Sequence, residues 1–132
     1  MGLIYLDTCL VIYLFEDVAN HGARLREQIA VRPETQWAIS PLVSMECLVG
    51  PLRSGDIVLQ RHYEEGLRQL RVLPLSEPVF LQAAALRARF GLRTPDALHL
   101  AAAQHHRCEA LWTNDDRLAE AARGLAVNPL RG

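Results

Sequence analysis

Lysine is absent from the 132 residues, so all fourteen basic side chains are arginine. This absence excludes every mechanism that requires a lysine. The sequence also lacks a glycine-rich phosphate-binding loop. Its formal net charge of −1 shows no polybasic arm, so overall charge neither predicts a nucleic-acid ligand nor excludes one.

Cysteines and long apolar runs are also scarce. The three cysteines, Cys9, Cys47 and Cys108, are odd in number, far apart and set among apolar neighbours. This pattern is typical of reduced core thiols in a cytosolic protein. The longest apolar run, Cys9 to Phe15, is far shorter than the roughly 20 residues of a membrane span. We therefore expect a soluble cytoplasmic protein without a secretory signal peptide.

Half of the residues are apolar, which predicts one domain over residues 1–132 with a substantial core. Short β-branched and aromatic runs alternate along the chain with helix-forming segments. Predicted strands cover 3–6, 37–39, 72–75, 109–113 and 125–127, and predicted helices cover 9–15, 23–30, 41–50, 56–70, 77–90, 95–105 and 116–123. This alternation predicts an α/β fold whose mainly parallel sheet has helices on both faces.

The segment from Leu92 to Ala103 predicts the best-defined helix start. We expect Thr94 to be the N-cap, Pro95 the first helical residue and Asp96 the next. Alanine and leucine then favour a stable helix. Taken alone, Asp96 would only complement the helix dipole.

Three other acids stand at comparable positions, which suggests a shared site. Asp7 and Asp115 follow predicted strands, and Glu46, like Asp96, lies in the first or second turn of a predicted helix. In an open parallel sheet, strand carboxyl ends and the following helix N-termini share one edge, where ligands bind. We therefore predict that the four carboxylates converge.

Clustered carboxylates in a partly desolvated cleft repel one another unless protons or cations compensate. Magnesium takes oxygen ligands and is usually held by a few carboxylates together with substrate phosphate, and manganese fits the same ligands. Such ions can clamp a phosphodiester and activate water as the nucleophile, so no catalytic Ser, Cys or His is needed.

Four segments in this order resemble the motifs of PIN-domain nucleases. They are residues 3–8, the isolated Glu46, residues 94–97 and residues 112–115. Each motif is weak alone, but the ordered set covers essentially the whole chain. In length and compactness the chain is most similar to the VapC-type toxins of bacterial and archaeal toxin-antitoxin pairs.

The resemblance implies a three-layer α/β/α sandwich and a Mg²⁺- or Mn²⁺-dependent endoribonuclease, the toxin of a type II toxin-antitoxin system. It also implies an RNA substrate, a homodimer and an antitoxin whose C-terminal segment wraps the toxin. Carried over, Asp7, Asp96 and Asp115 become metal ligands, and Glu46 becomes the fourth acid of the site.

The resemblance also gives supporting roles to two hydroxyl groups. Thr8 and Thr113 match positions that support the acids in the family. Asp116 stands beside Asp115, but only Asp115 fits the Thr-x-Asp spacing. Asp116 therefore remains either an accessory acid of the site or the cap of the last helix.

Three further residues adjoin the acids. Arg93 and Arg117 could hold RNA phosphates by bidentate contacts, or could equally be exposed loop arginines. His99 follows Asp96 by three residues, a spacing that can hold a metal. Because no other His or Cys is placed to complete a zinc set, packing or hydrogen bonding is the favoured role of His99.

Rival functions have weaker support. A receiver-type phospho-acceptor domain and a haloacid-dehalogenase-like phosphatase both need a lysine, and the second also needs an Asp where this chain has Cys9. The serious alternative is a non-enzymatic binding domain of the same fold that keeps the acids as a structural cluster. A DNA-directed nuclease of the same chemistry also stays open, because the acids do not distinguish RNA from DNA.

Overall fold

The structure is a computed structural model that describes residues 2–131. Within these residues, five strands alternate with seven α-helices. The strands are β1 (Leu3–Leu6), β2 (Gln36–Ile39), β3 (Arg71–Val72), β4 (Ala110–Trp112) and β5 (Ala126–Val127). The helices are α1 (Thr8–Glu16), α2 (His21–Ala30), α3 (Pro41–Ser54), α4 (Ile57–Leu67), α5 (Glu77–Phe90), α6 (Thr94–His105) and α7 (Asp116–Ala121), with a 3-10 turn at Val18–Asn20.

The strands form one sheet in the order β3-β2-β1-β4-β5, and every neighbouring pair is parallel. β1 is central, with Ile4 in register with Trp37 on one side and Ala110 on the other. The strand order reverses between β1 and β4. Their carboxyl ends therefore border the crevice where open α/β sheets bind ligands.

Helices cover both faces of the sheet, as the predicted three-layer α/β/α sandwich requires. The clearest example of burial is α6, in which residues 96–103 are all buried. Its alanines let it approach α3, α5 and β4 closely. Asp96 is thus carried on a rigid element in the core.

Several helix boundaries differ from the prediction. α6 has Arg93, not Thr94, as its N-cap, so Asp96 is the third helical residue. α3 does not end at Gly50 but continues through the buried Pro51 to Ser54. It ends where Gly55 adopts a left-handed φ of 72°, a conformation that glycine adopts at little cost.

α4 and α7 are shorter than predicted. The Asp56 side chain accepts from the Leu59 amide at 3.0 Å and caps α4, which leaves the apolar Ile57 on the first turn and 60% exposed. α4 ends at Leu67, not near Leu70. α7 ends at Ala121, ahead of the predicted end at residue 123. The strand predicted over 72–75 covers only Arg71–Val72, because Pro74 has no amide hydrogen to donate to a neighbouring strand.

Candidate functional site

All four acids line one cavity of about 300 Å³ at the carboxyl ends of β1 and β4. We call it the acid cavity. Asp7 follows β1, Asp115 follows β4, Glu46 lies in the second turn of α3 and Asp96 in the first turn of α6. Its remaining lining residues are Thr8, Cys9, Tyr13, His99 and Asn114. The topology therefore brings the four acids together, as their places in the sequence predict.

Asp7 is fixed by hydrogen bonds to both carboxylate oxygens. It caps α1 by accepting from the Thr8 amide at 2.8 Å, and its other oxygen accepts from Thr113 Oγ1 at 2.7 Å. The Thr113 hydroxyl also accepts from the Asp115 amide at 3.0 Å. Thr113 thus links the acid after β1 to the loop that carries the acid after β4.

Glu46 is held by a hydroxyl and an imidazole. Thr8 Oγ1 donates to Glu46 Oε1 at 2.6 Å, and His99 Nε2 lies 2.9 Å from the same oxygen. Burial opposes ionisation of Glu46, but these two hydrogen bonds and the positive charge of Arg93 outweigh it. The pKa of Glu46 therefore lies below its ordinary value.

A buried chain of hydrogen bonds lies beneath Glu46. Tyr5 Oη is 2.7 Å from His99 Nδ1 and 2.8 Å from Ser40 Oγ, and all three residues are fully or almost fully buried. Burial raises the pKa of the Tyr5 hydroxyl, which therefore keeps its proton. One neutral tautomer satisfies every group: Ser40 donates to Tyr5, Tyr5 to Nδ1 of His99, and Nε2–H to the carboxylate of Glu46.

This hydrogen-bonded set is the part of the site that sequence reasoning missed. The i, i+3 spacing from Asp96 was a signal that His99 faces the acids, and hydrogen bonding was the favoured use of its ring. Nothing in the sequence indicates that Tyr5 and Ser40 join His99 in this chain of hydrogen bonds, because they lie in a strand and a loop that are distant from α6 along the sequence. Only the folded sheet brings them together.

Asp96 is in a less favourable electrostatic environment. Burial raises the pKa of Asp96 above its ordinary value, the charges of Asp115 and Asp7 add to this, and Arg93 opposes it. Arg93 Nε lies 3.2 Å from Asp96 Oδ2, and Arg93 Nη2 lies 3.9 Å from Asp115 Oδ2. Arg93 therefore supplies positive charge where two of the acids face each other.

The adjacent acids Asp115 and Asp116 occupy different environments. Asp115 borders the acid cavity and caps α7, its Oδ1 accepting from the Arg117 and Leu118 amides at 2.9 and 3.1 Å. Asp116 is exposed and pairs with Arg131 at 2.6 Å. The sequence left Asp116 as a possible cap of the last helix, but the residue that caps α7 is Asp115. The Arg117 side chain lies outside the acid cavity.

The cysteines offer no activated nucleophile. Cys9 borders the acid cavity, with Sγ 3.6 Å from Asp7 Oδ2, and Cys47 and Cys108 are buried in the core. Burial raises the pKa of Cys9 to about 12, with the Asp7 charge adding to the effect. A protonated thiol is a poor nucleophile, so the chemistry of the acid cavity rests on its oxygen and imidazole groups.

The donors in the acid cavity match a hard divalent cation in kind. Within residues 2–131, no group of three or more His, Cys, Asp or Glu side chains is already arranged around a single metal position. Four carboxylates nevertheless border one small cavity, and burial, with the charges of Asp115 and Asp7 adding to it, raises the pKa of Asp96. Carboxylate oxygens are the ligands that Mg²⁺ and Mn²⁺ prefer.

The parallel sheet carries four acids at the point where its strand order reverses, so the chain is an α/β protein with an acidic pocket at this edge. Comparison with protein families then identifies the family. Residues 4–124 match the family described as PIN domain, so the chain belongs to the PIN-domain family, which is of nuclease type. A comparison with curated protein sequences gives no match.

Solved structures with the same fold include several toxin-antitoxin complexes. A chain of a toxin-antitoxin complex from Klebsiella pneumoniae is 27% identical, with a TM-score of 0.79 over 96% of this chain and 97% of that one. VapBC2 from Rickettsia felis, bound to a DNA fragment from their promoter, gives 18% identity and a TM-score of 0.81 over 96% and 98%. VapBC-1 from nontypeable Haemophilus influenzae is 19% identical, with a TM-score of 0.79 over 98% of this chain and 99% of that one.

Residues 2–131 contain no helix with the length and apolar character needed to cross a membrane.

Proposed function

We propose that this PIN-domain protein is a metal-dependent endoribonuclease and the toxin of a type II toxin-antitoxin pair. The observation that carries the proposal is the convergence of Asp7, Glu46, Asp96 and Asp115 on one cavity at the switch point of the sheet. The likeness to a chain of the Klebsiella pneumoniae toxin-antitoxin complex supports the toxin assignment.

The four acids would hold one or two Mg²⁺ or Mn²⁺ ions. When bound, such ions polarise a phosphodiester and lower the pKa of a bound water. Thr113 fixes Asp7, while Thr8 and His99 keep Glu46 ionised and oriented. In this proposal Arg93, whose side chain is 69% exposed and lies beside Asp96 and Asp115, binds a phosphate oxygen of RNA.

The proposal is tested with purified protein and a mixed set of structured and single-stranded RNAs, in Mg²⁺ or Mn²⁺ and in EDTA. We expect metal-dependent cleavage that falls by at least about 10²-fold in Asp7→Asn, Glu46→Gln, Asp96→Asn and Asp115→Asn, as when an electrostatic catalytic group is removed. Parallel reactions with single- and double-stranded DNA examine the DNA-directed alternative.

Asp116→Asn is the matched control for Asp115→Asn. It removes an adjacent acid that is exposed and paired with Arg131 outside the acid cavity, so cleavage should be retained. Equal loss in both variants would mean that the acidic loop acts as a whole. Cleavage of every RNA in EDTA would contradict the metal-dependent mechanism, and metal binding without cleavage would favour a binding domain.

The proposal includes two protein partners, an antitoxin and a second copy of the chain. Support for the second copy comes from α3, where Met45, Val49 and Leu52 follow helical spacing and are each at least 43% exposed. Exposed apolar side chains on one face are typical of protein interfaces. The mass in solution, measured by light scattering, distinguishes a dimer from a monomer.

A further inference from the structure

A second and larger depression lies beside the acid cavity. Its volume is about 760 Å³, and the end of α5, the loop into α6, α6 itself and α7 with its following turn line it. We call it the arginine cleft, because three arginines line it against a single acid, Glu120. Phe90 is the aromatic residue of its lining, and the three arginines are Arg89, Arg117 and Arg123.

These three arginines have no assigned role in holding the fold together. Seven other arginines use their side chains in ion pairs or hydrogen bonds; they are Arg24, Arg26, Arg32, Arg71, Arg87, Arg93 and Arg131. Among residues 2–131, the guanidinium groups of Arg89, Arg117 and Arg123 take part in none of the ion pairs, and all three residues are exposed. The cleft therefore carries excess positive charge on a chain whose net charge is −1.

The arginine cleft and the acid cavity adjoin along two short segments. Arg117 lines the cleft, while its backbone amide donates at 2.9 Å to Asp115, which lines the acid cavity. Leu92 lines the cleft, and the next residue, Arg93, reaches Asp96 and Asp115. The two depressions therefore adjoin at residues 92–93 and 115–117.

The lining chemistry suits a single-stranded polyanion. Guanidinium groups bind phosphate in a planar, bidentate manner. Phe90 is 43% exposed, and the guanidinium carbon of Arg89 lies 5.0 Å from the centre of its ring. Arginine and aromatic faces together form the platforms on which unstacked bases pack, and bases are free to do so in single strands.

We propose that the arginine cleft binds the single-stranded RNA segment that flanks the phosphodiester at the acid cavity. Arg117 and Arg123 on the α7 side, with Arg89 across the cleft, contact its phosphates, and Phe90 contacts a base. This inference rests on the proposed function for the identity of the polymer. Binding is nevertheless measured separately from cleavage.

The test is fluorescence anisotropy of a labelled, unstructured RNA oligonucleotide with the whole protein in EDTA, over a series of salt concentrations. Arg89→Gln/Arg123→Gln should bind about tenfold or more weakly, because charge-assisted hydrogen bonds are lost. Its log–log salt dependence should be shallower by about 1.4, since each phosphate contact on a single strand contributes roughly 0.7.

Arg53→Gln/Arg61→Gln is the matched control. It removes two arginines from α3 and α4, outside the cleft and outside the ion pairs of residues 2–131, and should leave both the affinity and the salt dependence unchanged. Phe90→Ala should weaken RNA binding without changing the salt slope, because stacking involves no counterion release.

Three outcomes would overturn the assignment: no RNA binding by the unaltered protein, equal binding by the cleft and control variants, or polyglutamate competing as well as RNA of equal charge. The last result would assign the cleft to an acidic protein segment. Cleft-dependent RNA binding without cleavage in Mg²⁺ or Mn²⁺ would refute the nuclease proposal and leave the cleft proposal standing. If the protein cleaves RNA and the cleft variant binds RNA normally, the cleft proposal is refuted and the nuclease proposal stands.

Discussion

His99 occupies the layer between the core and the acid cavity, where it both packs and makes hydrogen bonds. Its ring centre lies 5.6 Å from that of Tyr5, and its two nitrogens contact Tyr5 and Glu46. Each partner has a further hydrogen bond, from Ser40 or from Thr8. Replacing the imidazole with a phenyl ring therefore removes one of the two hydrogen bonds of the buried Tyr5 hydroxyl and one of the two hydrogen bonds of Glu46, at the cost of leaving these polar groups less well satisfied.

We predict that His99→Phe lowers the free energy of unfolding by about 1–3 kcal/mol, as loss of a buried hydrogen-bond partner does. Urea denaturation checks this, with His105→Phe as control, because His105 is an exposed histidine at the end of the same helix. The double variant with Tyr5→Phe should cost less than the sum of the single variants. Strict additivity would mean that Tyr5 and His99 do not stabilise each other.

The acids themselves were predictable at the level of single residues because each lies just after a strand or in the first two turns of a helix, and the sheet topology then brings them together. Asp115 and Asp116 show where this reasoning ends. Spacing favours Asp115, but only the folded loop distinguishes the two environments, by turning one side chain to the acid cavity and the other to Arg131.

At the scale of helices and strands, two glycines at the predicted ends of helices, Gly50 and Gly91, have opposite effects on stability. Gly50 lies inside α3, and an added Cβ would meet nothing within 4 Å. Gly91 ends α5 with a φ of 68°, in the left-handed region. Gly50 therefore weakens its helix for no steric reason, whereas Gly91 permits the turn towards Arg93.

We predict that Gly50→Ala stabilises the protein by about 0.5–1 kcal/mol through reduced backbone entropy of the unfolded chain. Gly91→Ala should destabilise it by about 1–2 kcal/mol, the cost of a left-handed residue with a Cβ. Thermal unfolding of the two variants side by side measures both signs. A stabilising Gly91→Ala would show that the turn does not need the left-handed conformation.

The same pair explains why the elements were predicted better than their boundaries. Apolar patterns indicated β1 and α5 correctly, because burial determines them. The end of α3 was wrong, because the Gly50-Pro51 pair is typical of a helix stop and nothing local shows that Pro51 is buried within a continuing helix. Tertiary packing decided this boundary and also left Ile57 exposed.

At the scale of the whole molecule, two acids of the acid cavity make opposite contributions to stability. The raised pKa of Asp96 means that its ionised form lowers stability relative to the protonated form. Its favourable contribution is present below the unfolded pKa of 3.8 and is lost as pH rises through the folded pKa. Glu46 behaves oppositely: its contribution is present above 4.5 and is lost as pH falls through its lowered pKa.

We therefore predict that the melting temperatures of Asp96→Asn and Glu46→Gln differ in opposite directions from that of the unaltered protein. In EDTA at neutral pH, Asp96→Asn should be more stable than the unaltered protein, by about 0.5–2 kcal/mol as for typical relief of functional strain, and Glu46→Gln less stable. The Asp96→Asn gain should vanish below about pH 4, near the unfolded pKa. Differential scanning calorimetry across pH checks both signs.

The same measurement in Mg²⁺ or Mn²⁺ tests the link to metal. Binding to the native state alone stabilises the unaltered protein by about 2.7 kcal/mol at 100 times Kd, which should reverse the order relative to Asp96→Asn. An unaltered protein whose melting temperature does not respond to millimolar metal would contradict the proposed metal site.

The sheet order also governs when the site comes into being during synthesis. The hydrogen bond from Thr113 to Asp7 joins residues 106 positions apart, and β4, which precedes Thr113, pairs with the first strand of the chain. At ribosomal rates of about 5–20 residues per second, Asp7 is synthesised several seconds before Thr113. Prematurely terminated translation products that stop before β4 therefore lack Asn114 and Asp115 of the acid cavity, together with Thr113, the residue that links Asp7 to the loop of Asp115. Any activity that needs all four acids begins only after Asp115 has been synthesised.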